Sequence, residues 1–192
     1  KPSSLESMKS QQEFDRVQVP DGSRRFVVIR DLRDTLVSAY FSFGISHSAT
    51  EPAVAGLRAT LNGLDREEGL LHLLRDWLPR CANVQASWFE AGERLIRYED
   101  LLASDLEILE PLLLDECGLA VSRERFREAV QKNRFESVTG RRRRGEEDVT
   151  AHQRKGVAGD WRNHFTDRVK TAFRLRFGAL LVATGYERDL EW

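Results

Sequence analysis

The sequence predicts an α/β fold, an open and mostly parallel sheet flanked by helices. Three observations carry that expectation. Two short apolar runs, Phe26-Val27-Val28-Ile29 and residues 94–98, have the length and composition of buried strands. The first leads through Arg30 into a sharp turn, and the second ends in Arg97-Tyr98 before Glu99-Asp100. Around them lie segments whose apolar residues recur at helical spacing.

Taken in order, residues 1–23 are polar and without periodicity, and Asp21-Gly22-Ser23 signals a turn into a strand over 24–30. The helix after Arg30 is expected to end near Gly44, a C-terminal cap. Residues 45–62, with His47 and Pro52, read as a loop holding a short helix. From Gly63, the residues Leu64, Leu70, Leu71, Leu73, Leu74, Trp77 and Leu78 make a wide apolar stripe that Pro79 is expected to stop. Trp88 and Phe89 precede the second strand. Ser104 is placed as the N-cap of a helix running to about Cys117 and stopped by Gly118, and Ser122 as the start of another. Residues 133–160 are the least regular. A last helix runs from Thr166 to about Val182, with Val169, Phe173, Phe177, Leu180 and Leu181 on one side, and Gly185-Tyr186 ends it.

The 192 residues can bury one respectable core, and no repeat or linker divides them, so a single domain over 1–192 is expected. A net charge of −1 supplies no global field for nucleic acid or an anionic membrane. The run Arg141 to Arg144 is followed at once by Glu146, Glu147 and Asp148, which favours a solvated loop over a nucleic-acid patch. No apolar stretch suits a membrane span, and Lys1 to Arg16 has no apolar core of a signal peptide. Two cysteines far apart, Cys81 and Cys117, point to a reducing compartment, hence the cytoplasm. The chain opens on Lys1 with its sole methionine at Met8, and two confident strands are thin for such a sheet. An origin partway along a longer protein is therefore expected.

The chemistry centres on Arg30-Asp31-Leu32-Arg33-Asp34-Thr35-Leu36-Val37-Ser38. A strand, a sharp turn and a helix N-terminus make an anion site, because free N–H groups and the helix dipole point at the ligand. Arg30 adds a guanidinium fork, and Ser38 a hydroxyl on the face it shares with Thr35 and Ser42. Alone, this stretch is equally well explained by a surface ion pair and a helical serine without a role. Zinc-ligand spacing is missing among His47, His72, His152 and His164 and the two cysteines, and so are the G-x-x-x-x-G-K-[ST], G-x-G-x-x-G and G-x-S-x-G signatures. Metal, nucleophilic-serine and dinucleotide chemistry are set aside.

Two further segments, Leu95-Ile96-Arg97-Tyr98-Glu99-Asp100-Leu101 and Arg154-Lys155-Gly156-Val157-Ala158-Gly159-Asp160-Trp161-Arg162-Asn163-His164-Phe165, follow in the chain. In this order the three resemble the sulfotransferases that use 3′-phosphoadenosine 5′-phosphosulfate (PAPS), whose R-x-x-x-D-x-x-V-S, Y-E-D and R-K-G-x-x-G-D-W-[KR]-x-x-F motifs they match. The resemblance covers about Arg24 to Leu190 and implies a P-loop NTPase-like sheet, PAPS as cofactor, no metal, and sulfuryl transfer to a small hydroxyl or amine acceptor. It assigns Arg30, Ser38, Arg154, Lys155 and Gly156 to the 3′-phosphate. Tyr98 and Phe135 fall beside the adenine, with core packing the alternative for both, and Trp161 is placed as a plug behind the Arg-Lys-Gly segment.

The family's N-terminal strand–loop–helix, which wraps the 5′-phosphosulfate, has no counterpart in residues 1–23. It is expected upstream of Lys1, and the main catalytic base with it; Lys9 and Glu13 are the only conceivable stand-ins for that base. His47, nine residues after Ser38, is the candidate for proton handling at the acceptor pocket, with an exposed loop histidine as the alternative. A non-catalytic domain that binds adenosine 3′,5′-bisphosphate or acts as a scaffold is the competing function.

Overall fold

The computed structural model describes residues 10–17 and 21–192; Met8 and Lys9 lie outside them. Its sheet has two strands among the described residues, β1 (Val27–Ile29) and β2 (Leu95–Arg97), paired in parallel with Val28 opposite Ile96. Both are shorter than expected. A strand is defined by its partner, and residues 24–26 have none described, while Tyr98 already belongs to a helix. Phe26 and Val28, two apart and so on one face of the chain, remain 38% and 43% exposed.

Helix α1 (Gln11–Phe14) is closed by a capping box in which the Ser10 N–H donates to Glu13 at 2.8 Å. That cap occupies the Glu13 carboxylate proposed above as a base. The central helix is α2 (Leu32–Phe41), whose Leu32, Leu36, Val37 and Phe41 are buried. It does not stop at Gly44 but widens into a π-helical turn over Ser42–Ser46, closed by the His47 N–H on the Ser42 carbonyl at 2.7 Å. Helix α3 (Pro52–Asn62) fills most of the region expected to be loop.

Asp65 caps α4 (Arg66–Asp76), accepting from the Glu68 N–H at 2.9 Å. Pro79 then begins a helix, α5 (Leu78–Glu90), where a stop was expected. In a first turn its missing N–H removes no hydrogen bond, and its fixed φ suits the helix. Helix α6 (Tyr98–Glu110) starts directly at the end of β2; Ser104 is a break within it (φ −144°, ψ 53°) and not its cap. Pro111 leads into a second π-helical turn, Pro111–Glu116, because it has no N–H for an α-helical bond. Ser122 caps α7 (Arg123–Lys132) as expected, α8 (Phe135–Val138) is short, and Thr166 caps α9 (Asp167–Ala183).

The main core joins α2 to Leu70, Leu73 and Leu74 of α4, Leu78 and Cys81 of α5, Trp161, and Val169, Phe173, Phe177 and Leu181 of α9. No helix among the described residues is long and apolar enough to cross a membrane.

Arg33 is the least expected core member, at 2% exposure. Its guanidinium lies against the rings of both Trp161 and Trp192, 4.1 and 4.5 Å from their centroids. It donates to both oxygens of Asp31 and to Glu187, so its charge is matched and its fork filled. Replacing it by alanine leaves two acids without their cation. An Arg33→Ala variant should lose on the order of 3–5 kcal/mol in chemical denaturation, as for other broken buried pairs.

Candidate functional site

The N-terminal turn of α2 organises the site. Asp31 accepts from the Arg33 N–H at 2.9 Å, a side-chain cap. The N–H of Asp31 donates to Glu99 at 3.0 Å, and the other Glu99 oxygen accepts from the Tyr186 hydroxyl at 2.8 Å. Burial and the Glu99 charge push the Tyr186 hydroxyl far above its ordinary pKa, so it is a donor throughout the physiological range. Glu99 thereby ties the first turn of α6 to the start of α2 and to Tyr186.

Asp34 accepts from the backbone N–H of Gly159 at 2.6 Å and of Trp161 at 2.9 Å. Burial pushes its carboxyl up, while those two N–H groups pull it down. Gly159, at φ +78°, supplies the left-handed turn that aims both N–H groups at one carboxylate. Trp161 is buried behind this turn and packs on Phe165 and Trp192, away from the cavity.

On the open side of α2 lies a cavity of about 340 Å³. Arg30, Ser38, Tyr98, Phe135, Arg154, Lys155 and Gly156 all line it. Sequence reasoning missed Phe41, Ser46, His152, Gln153 and Val157, which also line it, and gave Ser42 only as a face-mate of Ser38. Phe41 and Ser42 were legible as the next positions on that helical face, and His152-Gln153 as the residues leading into Arg154.

The cations of the cavity differ in their commitments. Arg30 lies over the Tyr98 ring at 5.3 Å, its carbonyl accepts from Gln85 at 2.6 Å, and its buried Nε has no partner among the described residues. Arg154 stacks on Phe41 at 4.4 Å and is paired with Glu147 and Asp160, and Lys155 reaches Asp160 at 2.7 Å. Asn163 and His164 complete the ring around Asp160, at 2.8 and 3.1 Å. Burial pushes the Asp160 carboxyl up, but hydrogen bonds from Lys155, Asn163 and Arg154 outweigh it and hold the group well below the aspartate value of 3.8. Burial keeps His164 below its ordinary value, ahead of the opposing pull of Asp160.

Gly156 is required twice over. Its φ is +67°, and a Cβ there would lie 2.4 Å from the Phe135 ring. Glu147, Asp160 and His164 bring potential ligand atoms within 4.8 Å of one another. Arg154 already bridges the two acids, so the guanidinium serves as the cation of that cluster.

His47 is not brought into the cavity. It is exposed beyond Ser46, its ring 6.0 Å from that of Phe43. Nor do the four arginines form a common patch. Arg142 and Arg144 donate to backbone carbonyls, and Arg141 and Arg143 point outward.

A helix-rich α/β chain with a cation-lined cavity beside its strand ends belongs, on its match to a family model, among the transferases. The matching model is that of the sulfotransferase domain, over residues 23–185, and the chain belongs to the sulfotransferase family. No curated protein and no solved structure gives a significant match.

The Asp160 ring implies an acid sensitivity of known sign. A carboxyl depressed in the folded state contributes stability that is present above its ordinary 3.8 and lost as pH falls through its lower folded value. Asp34, displaced upward, acts in the opposite sense and is opposed by its own N–H donors. Denaturation curves of Asp160→Asn should therefore show a weaker loss of stability below pH 3.8 than those of the parent chain. An equal slope would place the acid response elsewhere.

Proposed function

We propose that this chain uses PAPS to sulfate a small hydroxyl- or amine-bearing acceptor. One observation carries the reading: three segments far apart in sequence meet at a single cavity, where the buried Nε of Arg30 has no described partner. A buried donor left unpaired is costly, and an anionic ligand would satisfy it. The donor set fits a phosphomonoester: two guanidinium groups, an ammonium, a serine hydroxyl and the backbone at Gly156.

In this reading Arg30, Ser38, Arg154, Lys155 and Gly156 hold the 3′-phosphate, and Tyr98 and Phe135 flank the adenine. When bound, PAPS supplies the activated sulfuryl group and a stable bisphosphate leaving group. The residues of this chain fix the nucleotide, screen its charge and keep water from its phosphate. A nucleotide lacking the 3′-phosphate leaves their donors unpaired, which is the basis of selectivity. His47, exposed beyond Ser46, is put forward for proton handling on the acceptor side. Cys81 and Cys117 are both free thiols, in keeping with a reducing, cytoplasmic setting.

Calorimetric titration with adenosine 3′,5′-bisphosphate, against 5′-AMP, tests the reading. The bisphosphate should bind more tightly. Arg30→Ala should weaken it by roughly 10- to 100-fold, the range for a hydrogen bond to a charged group, and Ser38→Ala by less. Equal affinity for the two nucleotides would refute the assignment.

His47→Ala should leave bisphosphate affinity within about twofold, as for an exposed site. Its role is then decided by turnover of labelled sulfate: slowed turnover supports it, and unchanged turnover removes His47 from the reaction.

A further inference from the structure

The run Arg141 to Arg144 is not absorbed by the proposed function. Its side chains alternate between solvent and interior, Arg141 and Arg143 exposed, Arg142 and Arg144 half-buried. Gly140 and Arg141 initiate the alternation with φ of 69° and 74°, two left-handed residues in succession that turn the chain back over its neighbours. Arg142 then donates to the Glu146 carbonyl at 3.4 Å and makes three further contacts. It donates to the Arg154 carbonyl at 2.7 Å, donates to the Gln153 carbonyl, and lies over the Phe135 ring at 5.1 Å. The same loop is fastened from its backbone, where the N–H groups of Gly145 and Asp148 donate to the Lys155 and Arg154 carbonyls, each at 2.9 Å.

We propose that Arg142 is a positioning residue for the nucleotide, setting the Arg154–Lys155 wall of the cavity at a fixed spacing from the Phe135 wall. It does not itself line the cavity. The inference rests on reading that cavity as an adenosine 3′,5′-bisphosphate site. A guanidinium suits the task because its plane stacks on a ring while its fork serves two carbonyls. A lysine has the same charge but neither the plane nor the fork.

The test compares the parent chain with Arg142→Lys, Arg142→Ala and the exposed control Arg143→Lys, titrated with adenosine 3′,5′-bisphosphate and 5′-AMP. Both Arg142 variants should lose about tenfold in bisphosphate affinity, the scale of one charge-assisted hydrogen bond. They should lose less for 5′-AMP, so that the preference for the 3′-phosphate contracts; the Arg143→Lys variant should match the parent. Parent-like binding by Arg142→Lys would reduce the role to charge and overturn the proposal. Equal losses for both nucleotides would reduce it to general destabilisation and overturn it as well.

Hydrogen exchange of the ligand-free chain gives a second readout. The amides of Gly145 and Asp148, which donate to the Lys155 and Arg154 carbonyls, should exchange faster in Arg142→Lys, with α2 and α9 unchanged. Unchanged exchange at Gly145 and Asp148 overturns the proposal even where the bisphosphate binds. Should the parent bind neither nucleotide, the proposed function fails and the nucleotide role of Arg142 with it.

Discussion

A single buried carboxylate sets the geometry on which the cavity depends. Asp34 sits in the first turn of α2 at 2% exposure and takes the N–H groups of Gly159 and Trp161. One wall of the cavity holds Arg30, just past β1, and Ser38 of α2; the other, Arg154 to Gly156, precedes the Gly159 turn by a few residues. Their spacing is therefore fixed by two backbone hydrogen bonds to one side chain. Burying the carboxylate is unfavourable, and its raised pKa records that cost. The offset comes from two charge-assisted donors and from the positive end of the helix it occupies.

Around this anchor, charge is organised locally although the chain is nearly neutral as a whole. Arg33 is matched by Asp31 and Glu187, and Arg154 with Lys155 by Asp160 and Glu147. These pairs rigidify the segments that carry them, and the depressed Asp160 carboxyl reports how tightly its ring closes. Arg30 differs from them in having a buried donor with no described partner. A site made of cations already oriented by acids binds an anion without first ordering long side chains.

What was legible in the sequence was local chemistry. Ser122 and Thr166 announce their helices because a cap is a contact between near neighbours, and the stripe on α9 follows from its period alone. Six of the cavity residues, Arg30, Ser38, Tyr98, Arg154, Lys155 and Gly156, were legible through three motifs, because motifs preserve residue type at a spacing. What escaped depended on partners distant in sequence. The ends of β1 depend on β2, and the depth of Arg33 depends on Trp161 and Trp192. Pro79 was ambiguous, since the feature that ends one helix can open the next. The inward turn of Arg142 follows from left-handed backbone at Gly140 and Arg141, which no charge pattern encodes.

The widened turn at Ser42–Ser46 has a geometric effect on the serines of α2. In an unbroken α-helix, residues four apart overshoot a full turn, so successive positions creep around the axis. A π-helical turn takes more residues per revolution, and the next step of four falls short instead. The two errors oppose each other, and Ser38, Ser42 and Ser46 all reach the same cavity. Wound as a regular α-helix, the same residues would place Ser46 about 80° around the axis from Ser38 and carry the third hydroxyl away from the row.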